Sequence, residues 1–344
     1  MIRITTNGTL RGYQTNLNRS SVNLSQTRDK VLTQRNFNSY AEDPAAATQA
    51  FKLRRSFSRT SDQLSNTQSV TKKFESAWDA INTVKSNLTE KTAKVSALSG
   101  INGSTGTGRQ PLGKVLAAAA DSVVQTMNSQ YGTSFIFAGN DALSGAPFAW
   151  NTDGDLTYRG IAVDSASAAD QQKLQTMSAE TSYVDIGSGL SEQNGEVLNA
   201  SAFNAAISGL QYLGYGTDAD GDPKNAASLM KELSDIFTRC DADTGAYANA
   251  TDEKDANRLC KKLQGTLDNM TNEWSTLSGK ASYLTGTEDR LTNMVDDLNN
   301  QILQVEQVDL ASAITDFSWA QYCYNAALKV GNSILSQSLI DYMN

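Results

Sequence analysis

Leu263, Met270, Leu277, Leu284, Leu291, Leu298 and Val305 recur at strict heptad spacing through a stretch that contains no proline. Four residues after each comes a second series, Leu267, Trp274, Ala281, Glu288, Val295, Ile302 and Asp309, apolar at five of its seven places. A period of 3.5 held this long predicts one long helix whose narrow seam winds left-handed around another helix. The alternative, the core face of an ordinary bundle helix, fits less well. Globular helices average about 11–12 residues, and one small domain cannot cover a helix several times longer. The expectation is an extended rod or filament subunit.

The other end of the chain carries the same signal. Leu10, Leu17, Leu24 and Val31 fall seven apart. A further series, Leu53, Thr60, Thr67, Phe74, Ile81, Leu88 and Val95, keeps that spacing, with Phe57, Leu64 and Trp78 four residues on. Between the two N-terminal helices the segment Asn36 to Pro44 predicts a turn and restart, in which Glu42 precedes Asp43 as N-cap and Pro44 takes the first helical position. Near the C-terminus the seam shifts phase between Val305 and Leu310, then resumes as Leu310, Ile314, Phe317, Tyr324, Leu328 and Leu335. A break near Val308-Asp309 is expected, since the mismatch would turn one apolar stripe away from its partner.

The middle of the chain changes period. A Gly/Ser/Thr-rich loop at 99–108 leads to a third helix from about Pro111 to Tyr131. Phe135 to Gly139 and Leu156 to Tyr158 read as short strands separated by Gly/Asp/Asn turns. Two shorter helices are expected at about Ala200 to Leu213 and Lys224 to Cys240, the second started by Asp222 as cap and Pro223 in the first turn. The fold class is therefore mainly α: a long antiparallel coiled-coil or helical bundle formed by both termini, with an inserted β-containing (α+β) outer domain. The expected divisions are terminal helices at 1–45 and 305–344, a helical rod at 46–139 and 251–304, and an insert at 140–250 that is β-rich at 140–195 and helical at about 200–240.

A formal charge of −8 without a basic cluster argues against nucleic acid or anionic membranes as partners. The longest apolar runs fall far short of the roughly 20 residues a membrane helix needs. Residues Met1 to Thr6 lack an apolar h-region, so no cleaved secretory signal is expected. There are no histidines, which removes HExxH metallopeptidases, Ser-His-Asp hydrolases and Cys-His peptidases together. Cys240, Cys260 and Cys323 are widely spaced and odd in number, and read as small core residues. The turns Asp218 to Asp222 and Asn151 to Asp155 imitate the opening of a calcium loop, but their twelfth residues are Leu229 and Ala162 where a bidentate glutamate is needed. They read as solvated turns. No cofactor, metal or catalytic site is expected.

Helical seams at both termini around a variable middle resemble the bacterial flagellin superfamily. Ala41-Glu42-Asp43-Pro44 and the helix start after it, Asn128 with Phe135-Ile136-Phe137-Ala138-Gly139, Pro147-Phe148, Tyr158-Arg159-Gly160, Val308 to Ile314 and Ser338 to Met343 are similar to the hook-filament junction family, the third hook-associated proteins. The resemblance covers about 1–160 and 250–344. It departs at Thr33-Gln34-Arg35, where the family usually has Gly-Lys-Arg, and at Cys323. It implies a structural subunit located in the extracellular flagellum, exported unfolded through the flagellar type III apparatus with a chaperone over its C-terminal helix. Implied partners are further copies of itself in a ring, the first hook-associated protein and flagellin. The alternative is a flagellin-type filament subunit.

Overall fold

In the computed structural model, residues 6–99, 106–187, 189–198 and 201–343 are described, the side chains at 6, 7, 9, 99, 106, 196 and 333–343 excepted. The chain divides into two compact units, Met1–Ser61 with Asn293–Asn344, and Asp62–Thr292. The fold is mainly α, with small antiparallel sheets inserted among long helices. Among the described residues no helix is long and apolar enough to cross a membrane.

The first unit contains α1 (Thr6–Thr33), the start of α2 (Pro44–Ser99), the end of α7 (Asp252–Glu306) and α8 (Leu310–Met343). The expected break in the C-terminal helix falls at residues 307–309. There Asp309 caps α8, its carboxylate accepting from the Ala311 N–H at 3.0 Å. Helices α1 and α8 pack antiparallel. The end of α1 lies beside the start of α8, because the Val308 N–H donates to the Gln34 carbonyl at 3.2 Å. Toward the other end a Cβ on Gly331 would fall 2.0 Å from the Tyr13 hydroxyl.

The α1 row facing this partner keeps the heptad pattern: Leu10, Tyr13, Leu17, Ser20, Leu24, Thr27 and Val31 are all half-buried. The α8 row does not follow the leucines. It is Ala313, Phe317, Ala320, Tyr324, Ala327 and Gly331, in which small residues let the two backbones approach while the aromatic rings fill the gaps. Leu310, Ile314 and Leu328 of the expected seam are 43%, 48% and 43% exposed. The Leu335 side chain lies outside the described residues.

The second unit holds the rest of α2, α3 (Arg109–Met127), α4 (Ala168–Ser178), α5 (Gly209–Leu213), α6 (Ala226–Thr238) and most of α7. The row Thr67, Phe74, Ile81, Leu88 and Val95 of α2 is buried as its spacing predicts. Its companion row lies three residues on rather than four: Val70, Ala77 and Val84 are buried, whereas Leu64 and Trp78 are half-exposed. A threonine survives in such a seam because its hydroxyl turns back onto its own helix, Thr67 Oγ1 donating to the Gln63 carbonyl at 2.8 Å. In α7 the series Leu263, Met270, Leu277, Leu284 and Leu291 is buried throughout. The two helices meet where Trp78 and Trp274 lie 5.3 Å apart and Lys85 stands 3.8 Å over the Trp274 ring. Phe203 packs on Phe74 from one side and on Tyr283 from the other, at 5.3 and 6.2 Å.

The strands are two or three residues long: β1 (Gln130–Tyr131) pairs β2 (Ser134–Phe135), β3 (Phe148–Trp150) and β5 (Ile161–Ala162) flank β4 (Leu156–Tyr158), β6 (Tyr183–Val184) pairs β9 (Phe203–Asn204), and β7 (Glu192–Gln193) pairs β8 (Glu196–Val197). Only the first residue of the expected Phe135–Gly139 strand belongs to one. The predicted helix at 200–213 is confined to Gly209–Leu213, since Phe203-Asn204 is taken by a strand pairing with Tyr183-Val184. Helix α4 sits inside the stretch read as β. Helix α6 is capped by Asn225, which accepts from the Ala227 and Ser228 N–H groups, and not by Asp222. Pairing elsewhere overrides local capping chemistry there, because Asp222 is engaged by two cations of α7.

Candidate assembly surface

Everything at the α1–α2 turn follows from a reversal made in few residues. Gln34 takes the left-handed conformation, φ 56°. Beyond it Arg35 and Gln307 form an antiparallel bridge, and the Asn36 N–H donates to the Glu306 carbonyl at 2.7 Å. The Glu42 carboxylate accepts from the Asn38 N–H at 2.8 Å and holds the loop closed. Asp43 then caps α2 through the Ala46 N–H at 2.9 Å, with Pro44 as the first helical residue. The predicted cap and restart are thus both present.

This turn encloses a pocket of about 210 Å³ whose lining includes Arg35, Phe37, Tyr40, Phe51, Arg54 and Glu306. Arg54 reaches Glu306 at 2.5 Å, and that hydrogen bond raises the arginine pKa. Tyr40 and Phe51 are 66% and 69% exposed. On α8 the pattern repeats: Trp319 and Tyr322 stack at 5.8 Å, both about two-thirds exposed, and Leu310, Ile314, Leu328 and Val330 of the same helix are exposed as well. Most of the large apolar side chains left in solvent among the described residues therefore belong to this terminal unit. Leu298 and Val305 of α7, like Leu10, Leu17, Leu24, Val31, Phe317 and Tyr324, are half-buried.

The second unit gives its motif residues structural work. Asn128 donates to the Phe148 carbonyl at 2.8 Å and accepts from its N–H at 2.9 Å, docking β3 onto the end of α3. Phe148 lies 4.9 Å from Tyr158, whose hydroxyl donates to the Phe137 carbonyl at 2.9 Å. Arg159, itself at φ 52°, pairs with Glu180 at 2.8 Å and Asp141 at 3.4 Å. These residues, scattered over the sequence from 128 to 180, form one cluster.

The Asp218 to Asp222 turn is more than solvated. Lys262 of α7 binds Asp218 at 2.6 Å, Asp220 at 2.9 Å and also Asp222, which Arg258 holds at 2.7 Å. The three carboxylates have oxygens within 4.8 Å of one another, and an ammonium group of the protein itself stands among them. Sequence reasoning missed that anchor because Lys262 is far away along the chain. It also missed Arg109, which is 1% exposed and donates to the Leu98 and Gly245 carbonyls at 2.9 and 2.7 Å beneath the Tyr247 ring. Cys240 and Cys260 are buried as expected, whereas Cys323 is partly exposed on α8.

No protein-family model matches the chain, and no curated protein matches its sequence. Solved structures do share its fold. A protein described as a flagellar hook-associated protein from Vibrio parahaemolyticus superimposes with a TM-score of 0.58 at 14% identity, covering 77% of this chain and 99% of that one. FlgL from Bacillus cereus gives 0.50 at 14% identity over 73% and 99% of the two chains. Flagellar hook-associated protein 3 from Legionella pneumophila gives 0.50 at 9% identity over 74% and 98%. The similarity is one of architecture, spanning nearly the whole of each neighbour.

Proposed function

We propose that this chain is a structural subunit of the bacterial flagellum, the adaptor at the hook-filament junction that joins the first hook-associated protein to flagellin. The observation that carries the proposal is the terminal unit: two antiparallel helices whose packed rows leave Leu310, Ile314, Trp319, Tyr322 and Leu328 in solvent. Apolar surface of this extent needs a partner. The fold shared with hook-associated proteins supports the flagellum as the setting. In this reading copies form a ring, the chain leaves the cell through the flagellar type III apparatus, and a chaperone covers α8 on the way. Its role is architectural rather than catalytic.

The test is a deletion in the source bacterium. Hooks without filaments, with flagellin lost to the medium, are expected. Leu328→Asp tests the surface itself: the residue is 43% exposed, so the monomer should fold while a charge disrupts the assembled seam. Leu298→Asp, in a half-buried row of α7, should also block incorporation but spare export. Normal swimming of the deletion strain or of both variants would overturn the proposal, and purified chain that polymerised alone into long filaments would replace it with a filament subunit.

A further inference from the structure

The pocket at the α1–α2 turn and the aromatic plate on α8 are complementary in two independent ways. The pocket offers apolar rings, Tyr40 and Phe51, with Arg35 at its edge. Among the described residues no carboxylate pairs with Arg35, whereas Arg54 is already held by Glu306. The plate offers Trp319 and Tyr322, and Asp316 lies three residues before Trp319 and so on the same side of the helix. Asp316 is exposed and has no cationic partner among the described residues. Glu306 in the pocket wall is taken up by Arg54, so Arg35 is left as an uncompensated cation at the edge of a half-open pocket, in the same molecule as an aromatic plate whose carboxylate, Asp316, has no cation among the described residues.

They cannot meet within one chain. The pocket adjoins the start of α8, and nine residues of helix from Leu310 to Trp319, at about 1.5 Å each, set the plate roughly 14 Å further along a rigid rod. A second copy can bring them together. We infer that the pocket formed by Arg35, Tyr40 and Phe51 receives the Asp316, Trp319 and Tyr322 face of a neighbouring copy, as the copy-to-copy contact of the assembled ring. The contact is heterologous, joining unlike patches, so it repeats from one subunit to the next; such contacts generate rings or helical arrays and not closed two-fold dimers. A buried tryptophan supplies the apolar area, and the Arg35–Asp316 pair sets register between subunits.

The inference rests on the proposed function, and one experiment separates them. The full-length chain, with Cys323→Ser to remove the native thiol on α8, carries Ser39→Cys at the pocket and Asn325→Cys beside the plate, one turn beyond Tyr322. Flagella are isolated from the source bacterium expressing it and treated with a short thiol-reactive cross-linker. A ladder of covalent oligomers is expected, because residue 325 lies about 22 Å of helix beyond the start of α8, out of a short linker's reach within one chain. Chain present in the flagella without a ladder overturns this contact and leaves the junction role standing. Chain absent from the flagella overturns the junction role and the contact together.

Charge reversal supplies the second readout. Arg35→Glu and Asp316→Arg should each lower the number of filaments per cell at least about tenfold, and the two combined should restore it to within about twofold, since the pair is re-formed with opposite sign. Both side chains are exposed, so folding is not at stake. Single variants that swim normally, or a combination no better than either single change, would refute the pairing.

Discussion

Removing the Asn128 side chain should destabilise the second unit more than its exposure suggests. Asn128 is only partly buried, yet both of its bonds go to the backbone of Phe148, a residue 1% exposed. Asn128→Ala deletes two hydrogen bonds, each contributing about 1 kcal/mol net, and leaves a donor and an acceptor beside a dry ring. Water can reach part of the vacated space, which keeps the penalty toward the low end of the usual range for unsatisfied groups. The total is about 2–4 kcal/mol. For a unit of this size each kcal/mol moves Tm by about 2–4 °C, so calorimetry should show the transition of the second unit falling by roughly 4–16 °C. Asn128→Asp should fall nearly as far, because the carboxylate keeps the acceptor but faces the Phe148 carbonyl with no donor. The isolated chain is suited to the measurement, since the site belongs to the second unit alone. A Tm within about 1 °C of wild type for Asn128→Ala would refute the reasoning, showing that Phe148 is placed by its ring packing and not by the amide.

Lys262→Met should turn the Asp218, Asp220 and Asp222 cluster into a cation site: Tm of this variant should rise with added Ca²⁺, by about 1.4 kcal/mol of stability at tenfold excess over Kd, while wild type does not respond. An equal response in both proteins would show that the lysine does not occupy the site. Burial pushes the Asp164 carboxyl up to about 6, with Asp155 adding repulsion against a 2.5 Å hydrogen bond from Ser228. The folded state therefore holds a proton that the unfolded chain, titrating near 3.8, has lost, and Glu232, raised by burial from 4.5 to about 7, adds a second; stability should fall as pH rises from about 4 to about 7 and level off above. Asp218 and Asp222, held by cations below their usual range, act only at lower pH; Asp164→Asn should reduce the slope in thermal melts between pH 4.5 and 7, and Asp164→Asn with Glu232→Gln should flatten it. Gly139→Ala should cost about 1–2 kcal/mol, because φ is 66° there and the new Cβ would lie 2.4 Å from a Glu180 oxygen that binds Arg159; unchanged chemical denaturation would contradict this.

How far the sequence reaches is clearest residue by residue. Heptad spacing located α1, α2 and α7 and the break before α8, and the Asp43-Pro44 pair located the cap of α2, because helix period, phase and capping are local and leave their mark within a few residues. The same reasoning misplaced the companion row of α2 and the packed row of α8. Spacing marks which positions are apolar, but which row is covered depends on how closely the partner approaches, and alanine and glycine at 313, 320 and 331 admit α1 where Leu310, Ile314 and Leu328 would hold it away. The short strands, α4 and the cap at Asn225 were also out of reach, since two-residue strands carry no period and exist by virtue of what they pair with. At the assembly surface the sequence by itself determined that two long helices would carry apolar stripes and that a capped turn would join them. Only the tertiary structure decided which stripe closes on the chain's own partner helix and which stays in solvent, because that choice is made by contacts between residues hundreds of positions apart, whose free energies no local pattern contains.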